Sequence, residues 1–192
     1  MVRLVQCVGL NERTRTATIN KVMVLEYGTW KGMLKRCYCD KFKKLFPTYD
    51  GCTVSDNFKS YEYFYDWCQS QIGFGLDGYQ LDKDLLMKGN KIYSESLCVF
   101  IPQEINYAIR YRLKKQSDLP IGVSINPWSG RYISSIKGEG ITRHIGTYDD
   151  PHQAFLAYKA EKENQIKWLA NKYKGGIDDR AYDALMKFDI EP

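Results

Sequence analysis

Asp82, Lys83 and Asp84, followed closely by Lys88, Asn90 and Lys91, crowd carboxylates, ammonium groups and an amide into one short span of the chain. Carboxylate oxygens are hard donors suited to Mg²⁺ or Mn²⁺, and ammonium groups neutralise phosphate. A divalent cation that steadies a scissile phosphate, beside a base that deprotonates the attacking water, is the chemistry of phosphodiester cleavage. In that scheme Asp82 is the first metal ligand. Lys83 is a base only if burial or a neighbouring cation lowers its pKa, and the flanking Asp82 and Asp84 act in the opposite direction.

The elements that would hold these groups are read from residues 79–106, YQLDKDLLMKGNKIYSESLCVFIPQEIN: a strand, a polar loop, the apolar strand Val99 to Ile101, and a helix entered from Pro102. In that order the stretch resembles a degenerate HNH nuclease finger of phage-borne homing endonucleases, with LDKD where the family has Asp-His or His-His. The resemblance implies a ββα-metal unit with a catalytic set of Lys83, Asp82 and Asn90. Lys83 stands at the family's catalytic histidine and Asn90 at its central asparagine. The metal set it implies is Asp82 with Cys98, or with Asn106 if the helix is shifted in register. Cys98 is a soft donor and a poor partner for Mg²⁺. Three readings stay open: a variant nuclease, a DNA-contacting relic without hydrolysis, or a loop in which Asp82 and Asp84 cap turns.

A second group of polar residues lies beyond Leu119. Arg131 to Ile136 alternates with period two, a Lys-Gly-Glu-Gly turn follows, and Ile141 to Tyr148 forms a further strand, so with Gly122-Val123-Ser124 the segment predicts a three-stranded antiparallel meander. Asp149 or Asp150 with Pro151 then opens a helix whose Ala154, Phe155, Ala157, Tyr158, Ile166, Trp168 and Leu169 would lie on the sheet. The Trp128-Ser129-Gly130-Arg131-Tyr132 hairpin, Ile145-Gly146-Thr147-Tyr148 and Ala157-Tyr158 make this segment similar to the APETALA2-type DNA-binding domain. The resemblance implies that the sheet enters the major groove of double-stranded DNA. Arg131, Ser135, Lys137, Arg143 and His144 are then the contacting residues, with Trp128 against the sugar-phosphate backbone. Arg110 and Arg112, in the basic run between the two segments, are further candidates for phosphate contact.

The remaining sequence supplies scaffold. Short apolar alternations around the polar NERTRT predict a small hairpin near the N-terminus. Thr29 then suits a helix N-cap, with Trp30, Met33, Leu34 and Cys37 at helical spacing. The basic, turn-rich residues 40–57 are expected as loop. Phe58, Tyr61, Phe64, Tyr65 and Cys68 predict a second, aromatic helix.

The expected organisation is therefore α+β: an HNH-like unit with flanking helices over residues 1–112, a linker over 113–118, an APETALA2-like sheet packed on one helix over 119–174, and an acidic tail over 175–192.

With 192 residues, 44% of them hydrophobic, the chain is long enough to bury a core, and no run is apolar enough to span a bilayer. Its net charge of +5 understates the basicity of the body, because Asp178, Asp179, Asp183, Asp189 and Glu191 gather at the C-terminal end. Six cysteines without paired C-x-x-C spacing are expected as thiols, not as structural zinc or disulfides. The two resemblances together imply a DNA-binding phage protein acting in the cytoplasm of an infected bacterium. Its leading activity is metal-dependent endonuclease or nickase; a catalytically inactive DNA-binding regulator and a protein-interaction module acting on a host enzyme are the alternatives.

Overall fold

A computed structural model describes residues 3–110, 118–138 and 141–191. The fold is mixed α and β and divides into two compact units, Met1–Asn106 with Gly175–Tyr182, and Tyr107–Lys174 with Asp183–Pro192. The first boundary falls inside a helix, earlier than the expected end at residue 112. The expected tail is not a tail: its residues are divided between the two units, and Ile177, Ala181, Leu185 and Ile190 are buried.

The first unit opens with two antiparallel ribbons, β1 (Arg3–Val5) with β2 (Gly9–Asn11), and β3 (Thr18–Ile19) with β4 (Val22–Met23). Asn20 and Lys21 join the second pair with positive φ at both positions, the backbone of a tight hairpin turn. Helix α1 (Leu25–Tyr38) buries Tyr27, Trp30, Met33, Leu34 and Cys37. The expected cap at Thr29 is corrected: the residue lies inside α1 and its hydroxyl donates to the carbonyl of Leu25. β2 crosses α1 so closely that a Cβ on Gly9 would sit 2.2 Å from a Leu34 methyl.

Residues 40–57, expected as loop, hold α2 (Asp40–Leu45), a 3-10 turn at Pro47–Tyr49 and β5 (Thr53–Val54). Next come α3 (Asp56–Lys59) and α4 (Tyr61–Gln69), capped by Ser55 and Ser60. Their Phe58, Tyr61, Phe64 and Cys68 meet α1 in an aromatic core, and the Trp30 indole N–H donates to the buried Phe58 carbonyl at 2.8 Å. An indole that buries its ring and satisfies its N–H stabilises both ways.

Strand β6 (Tyr79–Asp82), β7 (Ile92–Tyr93) and β8 (Val99–Pro102) follow, and then α5 (Gln103–Ile109), within which the unit's first segment ends. β6 pairs antiparallel with β8, and β7 pairs in parallel with β5. Phe100, Cys98, Tyr79 and Leu81 pack on the aromatic core.

In the second unit β9 (Val123–Ile125), β10 (Tyr132–Gly138) and β11 (Ile141–Tyr148) form an antiparallel sheet with β10 in the centre. It packs on α6 (Pro151–Lys172), which Asp150 caps through the Gln153 N–H at 2.9 Å. Gly122 adopts φ +80°, and a Cβ there would lie 2.2 Å from the Tyr158 ring, so only glycine passes. α6 buries Ala154, Phe155, Tyr158, Ile166 and Leu169 as expected. Trp168 departs from expectation, being exposed with the Lys172 ammonium over its ring, and Lys162 is buried. α7 (Asp179–Met186) closes the chain. No described helix is long and apolar enough to cross a membrane.

Candidate functional site

The polar loop between β6 and β8 is organised by its own candidate residues. Asp82 ends β6, and one carboxylate oxygen accepts the backbone N–H groups of Asp84 at 2.9 Å and Leu85 at 2.7 Å, so that Asp82 caps the turn that starts the loop. Burial pushes its carboxyl above the ordinary aspartate range and the Asp84 charge adds to this, while the two N–H groups act against it. Its second oxygen has no hydrogen-bond partner among the described residues.

Lys83 is 5% exposed. Its ammonium donates to Asp84 and, at 2.7 Å, to the Asn90 carbonyl, and it lies 5.7 Å from the centre of the Tyr93 ring. Tyr93 accepts a hydrogen bond from Arg36 at 2.9 Å and carries that guanidinium against its ring as well. Two of its three N–H groups are thereby committed to the loop itself.

Asn90 is buried. Its amide N–H₂ donates to the carbonyls of Lys83 and Ile92, both at 2.7 Å, and its oxygen accepts from the Ile92 N–H at 2.9 Å. Residues 83–92 are thereby closed into a loop by side chains whose types suggest catalysis.

The three expected metal ligands behave differently from one another. Cys98 is fully buried and its thiol is pushed up to about 12 by that burial, so it is protonated and soft, and does not fit a hard cation. Asn106, on α5, donates to the Gln80 side chain at 3.1 Å. Gln80 and Asp82 share one face of β6, two residues apart. Asp82 alone fits a hydrated Mg²⁺, which is commonly held by one or two carboxylates and completed by water and substrate phosphate. Among the described residues no three or more His, Cys, Asp or Glu side chains gather as a metal site.

The second cluster lies on the sheet of the other unit, and its register sorts the expected DNA contacts. Ser134 and Ile136 face α6 and are buried. Ile133, Ser135 and Lys137 therefore point to the opposite, outer face. Ser135 stands directly across from His144, and Ile133 across from Thr147, so His144 and Thr147 are on the outer face too, joined by a 3.0 Å bond. Arg131 belongs to the same face by alternation. Its guanidinium is held by Asp149.

Arg143 is corrected. It pairs across from buried Ile136, on the helix side of the sheet, and its guanidinium bonds Glu161 of α6. The cause is a β-bulge: Ser134 pairs with Gly146 but Ser135 pairs with His144, leaving Ile145 unmatched and reversing the alternation of β11 before that point.

Trp128 is 92% exposed at the tip of the β9–β10 hairpin, where Asn126 accepts the Trp128 N–H at 3.0 Å and steadies the turn. Arg110 is exposed at the end of α5, and Arg112 lies outside the described residues. Sequence reasoning missed the arginine-lined cleft of the first ribbon, formed by Arg3, Arg13 and Arg15 with Asn11; the basic NERTRT was the available signal. No family model, curated protein or solved structure matches this chain.

Proposed function

We propose that this protein binds double-stranded DNA through the outer face of its C-terminal sheet, and that the β6–β8 loop is a structural finger without hydrolytic activity. The observation that carries the reading is the sorting of the sheet. Arg131, Ser135, Lys137 and His144 share the one face that α6 leaves open, with Trp128 exposed at its edge. A twisted ribbon of strands with cationic and hydroxyl groups on its free face suits a major groove: the cations meet phosphate, and the shorter groups reach base edges. The resemblance of residues 119–174 to the APETALA2-type domain supports the same assignment.

The non-hydrolytic reading of the loop rests on Lys83 and Asn90. Both spend their hydrogen bonds on closing the loop, and no described histidine belongs to the first unit. A second reading, metal-dependent nicking, is favoured by one observation, the unpartnered oxygen of Asp82 on the face that also carries Gln80. In that case Asp82 would hold Mg²⁺ or Mn²⁺ jointly with a DNA phosphate.

The test is binding of the full chain to duplex DNA by fluorescence anisotropy over a salt series, run beside supercoiled plasmid in Mg²⁺ and in Mn²⁺. Salt-dependent binding without nicks is expected. Nicking that disappears in Asp82→Ala would establish the second reading, and neither binding nor nicking would leave a protein-interaction module as the surviving alternative.

A further inference from the structure

The N-terminal ribbon carries a cleft of about 340 Å³ that the sheet and the finger do not use. It is lined by Arg3, Asn11, Arg13, Arg15, Thr18 and Tyr27, among others. Its volume lies near the lower end of the roughly 300–1,000 Å³ typical of small-ligand sites.

The lining is built, not incidental. Arg3 and Asn11 stand directly opposite each other on β1 and β2, so their side chains share a face. Asn11 is only 6% exposed, and its side-chain oxygen accepts the Arg13 N–H at 2.9 Å. That bond holds Arg13 at φ +64°, a conformation an arginine adopts only under constraint. Arg15 is fixed from two sides, with its guanidinium on Asp66 at 2.8 Å and 5.6 Å from the Tyr65 ring centre. Tyr27 is 8% exposed and lies edge-on to Tyr61.

Two donors in this cleft are unspent. Among the described residues neither the Asn11 amide N–H₂ nor the Tyr27 hydroxyl has a hydrogen-bond partner, although both residues are more than nine-tenths buried. The two atoms keep contact with solvent, the Ser134 hydroxyl being the one buried side-chain atom without a partner among the described residues, so each is a donor open to whatever enters the cleft. The guanidiniums of Arg3 and Arg13 also lack an ion-pair partner among the described residues. Of the acidic groups nearby, Asp66 is taken by Arg15 and Glu12 accepts the Glu62 N–H at 3.4 Å. The charged side chains that line the cleft are therefore all cationic.

We propose that this cleft binds a phosphate group, held by Arg3 and Arg13 with the Asn11 amide and the Tyr27 hydroxyl completing the donor set. A phosphate offers three or four oxygens in a compact tetrahedron, which can meet donors converging from several sides, and guanidinium forks match its edges. The group belongs either to a nucleic-acid backbone or to a free phosphate such as a mononucleotide. The site does not depend on the sheet's reading of DNA.

The deciding variant is Asn11→Asp, which keeps the acceptor for the Arg13 N–H but replaces the open donor with a negative charge; the double variant Arg3→Ala/Arg13→Ala is its companion. Each is titrated as full-length protein with inorganic phosphate and with AMP by calorimetry, and with duplex DNA over a salt series, after a thermal melt shows the wild-type transition. Loss of DNA affinity with a salt slope shallower by about 0.9 per lost contact assigns a backbone phosphate. At least tenfold weaker phosphate or AMP binding with an unchanged slope assigns a free phosphate. Variants indistinguishable from wild type in every titration, or a wild type whose phosphate and AMP titrations are flat and whose slope the variants do not alter, would overturn the proposal. Should the protein bind no DNA at all, the reading of the sheet fails while the phosphate and AMP arms still decide this one.

Discussion

Lys83 and Asn90 bond each other's backbones: the Lys83 ammonium donates to the Asn90 carbonyl, and the Asn90 amide donates to the Lys83 carbonyl, each at 2.7 Å. The two residues thus tie the ends of one loop turn together. Replacing Lys83 by Met removes a charged donor from a buried carbonyl and should cost about 2–3 kcal/mol in urea denaturation. Asn90→Ala should cost a similar amount, and the double variant less than the sum, since both substitutions release the same loop. If Lys83 served catalysis alone, Lys83→Met would leave the denaturation midpoint where it is.

Arg131 and Asp149 form an exposed two-point pair on the outer face of the sheet, with contacts at 2.7 and 3.3 Å. Exposed pairs of this kind are worth about 0–1 kcal/mol, so the pair restrains Arg131 without locking it. Asp149→Asn should raise DNA affinity by about two- to fivefold by removing a competing anion. Unchanged or weaker binding in anisotropy would remove Arg131 from the interface.

The sheet's two faces give an internal control. Lys137→Ala and His144→Ala should each weaken DNA binding, with Lys137→Ala lowering the salt slope by about 0.9 if it meets a phosphate. Arg143→Ala, which disrupts only the pair with Glu161 on the helix side, should leave affinity within about twofold. Equal losses from all three variants would show that net charge, not the outer face, governs binding.

Asp82 gives a pH signature. Its carboxyl is raised by burial, so the folded state prefers the protonated form, and its contribution to stability is complete below the unfolded pKa and declines as pH rises through the folded one. Asp82→Asn retains an acceptor for the Asp84 and Leu85 N–H groups without the charge. Thermal melts should show the variant gaining on wild type as pH rises from the acidic range to neutrality, with the two converging in acid. A gap that widens on acidification would contradict the assigned shift.

Much of the architecture was legible where a pattern repeats. The alternation through residues 132–137 and the Asp150-Pro151 start signal predict the three strands and the long helix, and over residues 79–106 the two long strands and the helix are present, with β7 in the span expected as loop. The departures have physical causes. α2 was read as loop because its DKFKKL carries no apolar stripe and buries nothing. The acidic end was read as a tail because its charge draws the eye from Ile177, Ala181 and Leu185, which recur every four residues and are buried. At the finger, residue types were legible but their use was not, since a carboxylate that caps a turn and one that awaits a ligand look alike in sequence. The resemblance makes Arg143 a contact by its position, and nothing in residue spacing announces the bulge that sets it on the helix side.

That extra residue has a genetic consequence. Loss of the single codon for Ile145 would remove the unmatched residue and leave His144 across from Ser135 and Arg143 across from Ile136, each on the face it now holds. An in-frame deletion of three nucleotides there would flatten β11 by removing the bulge, without changing which side chains the sheet offers on either face.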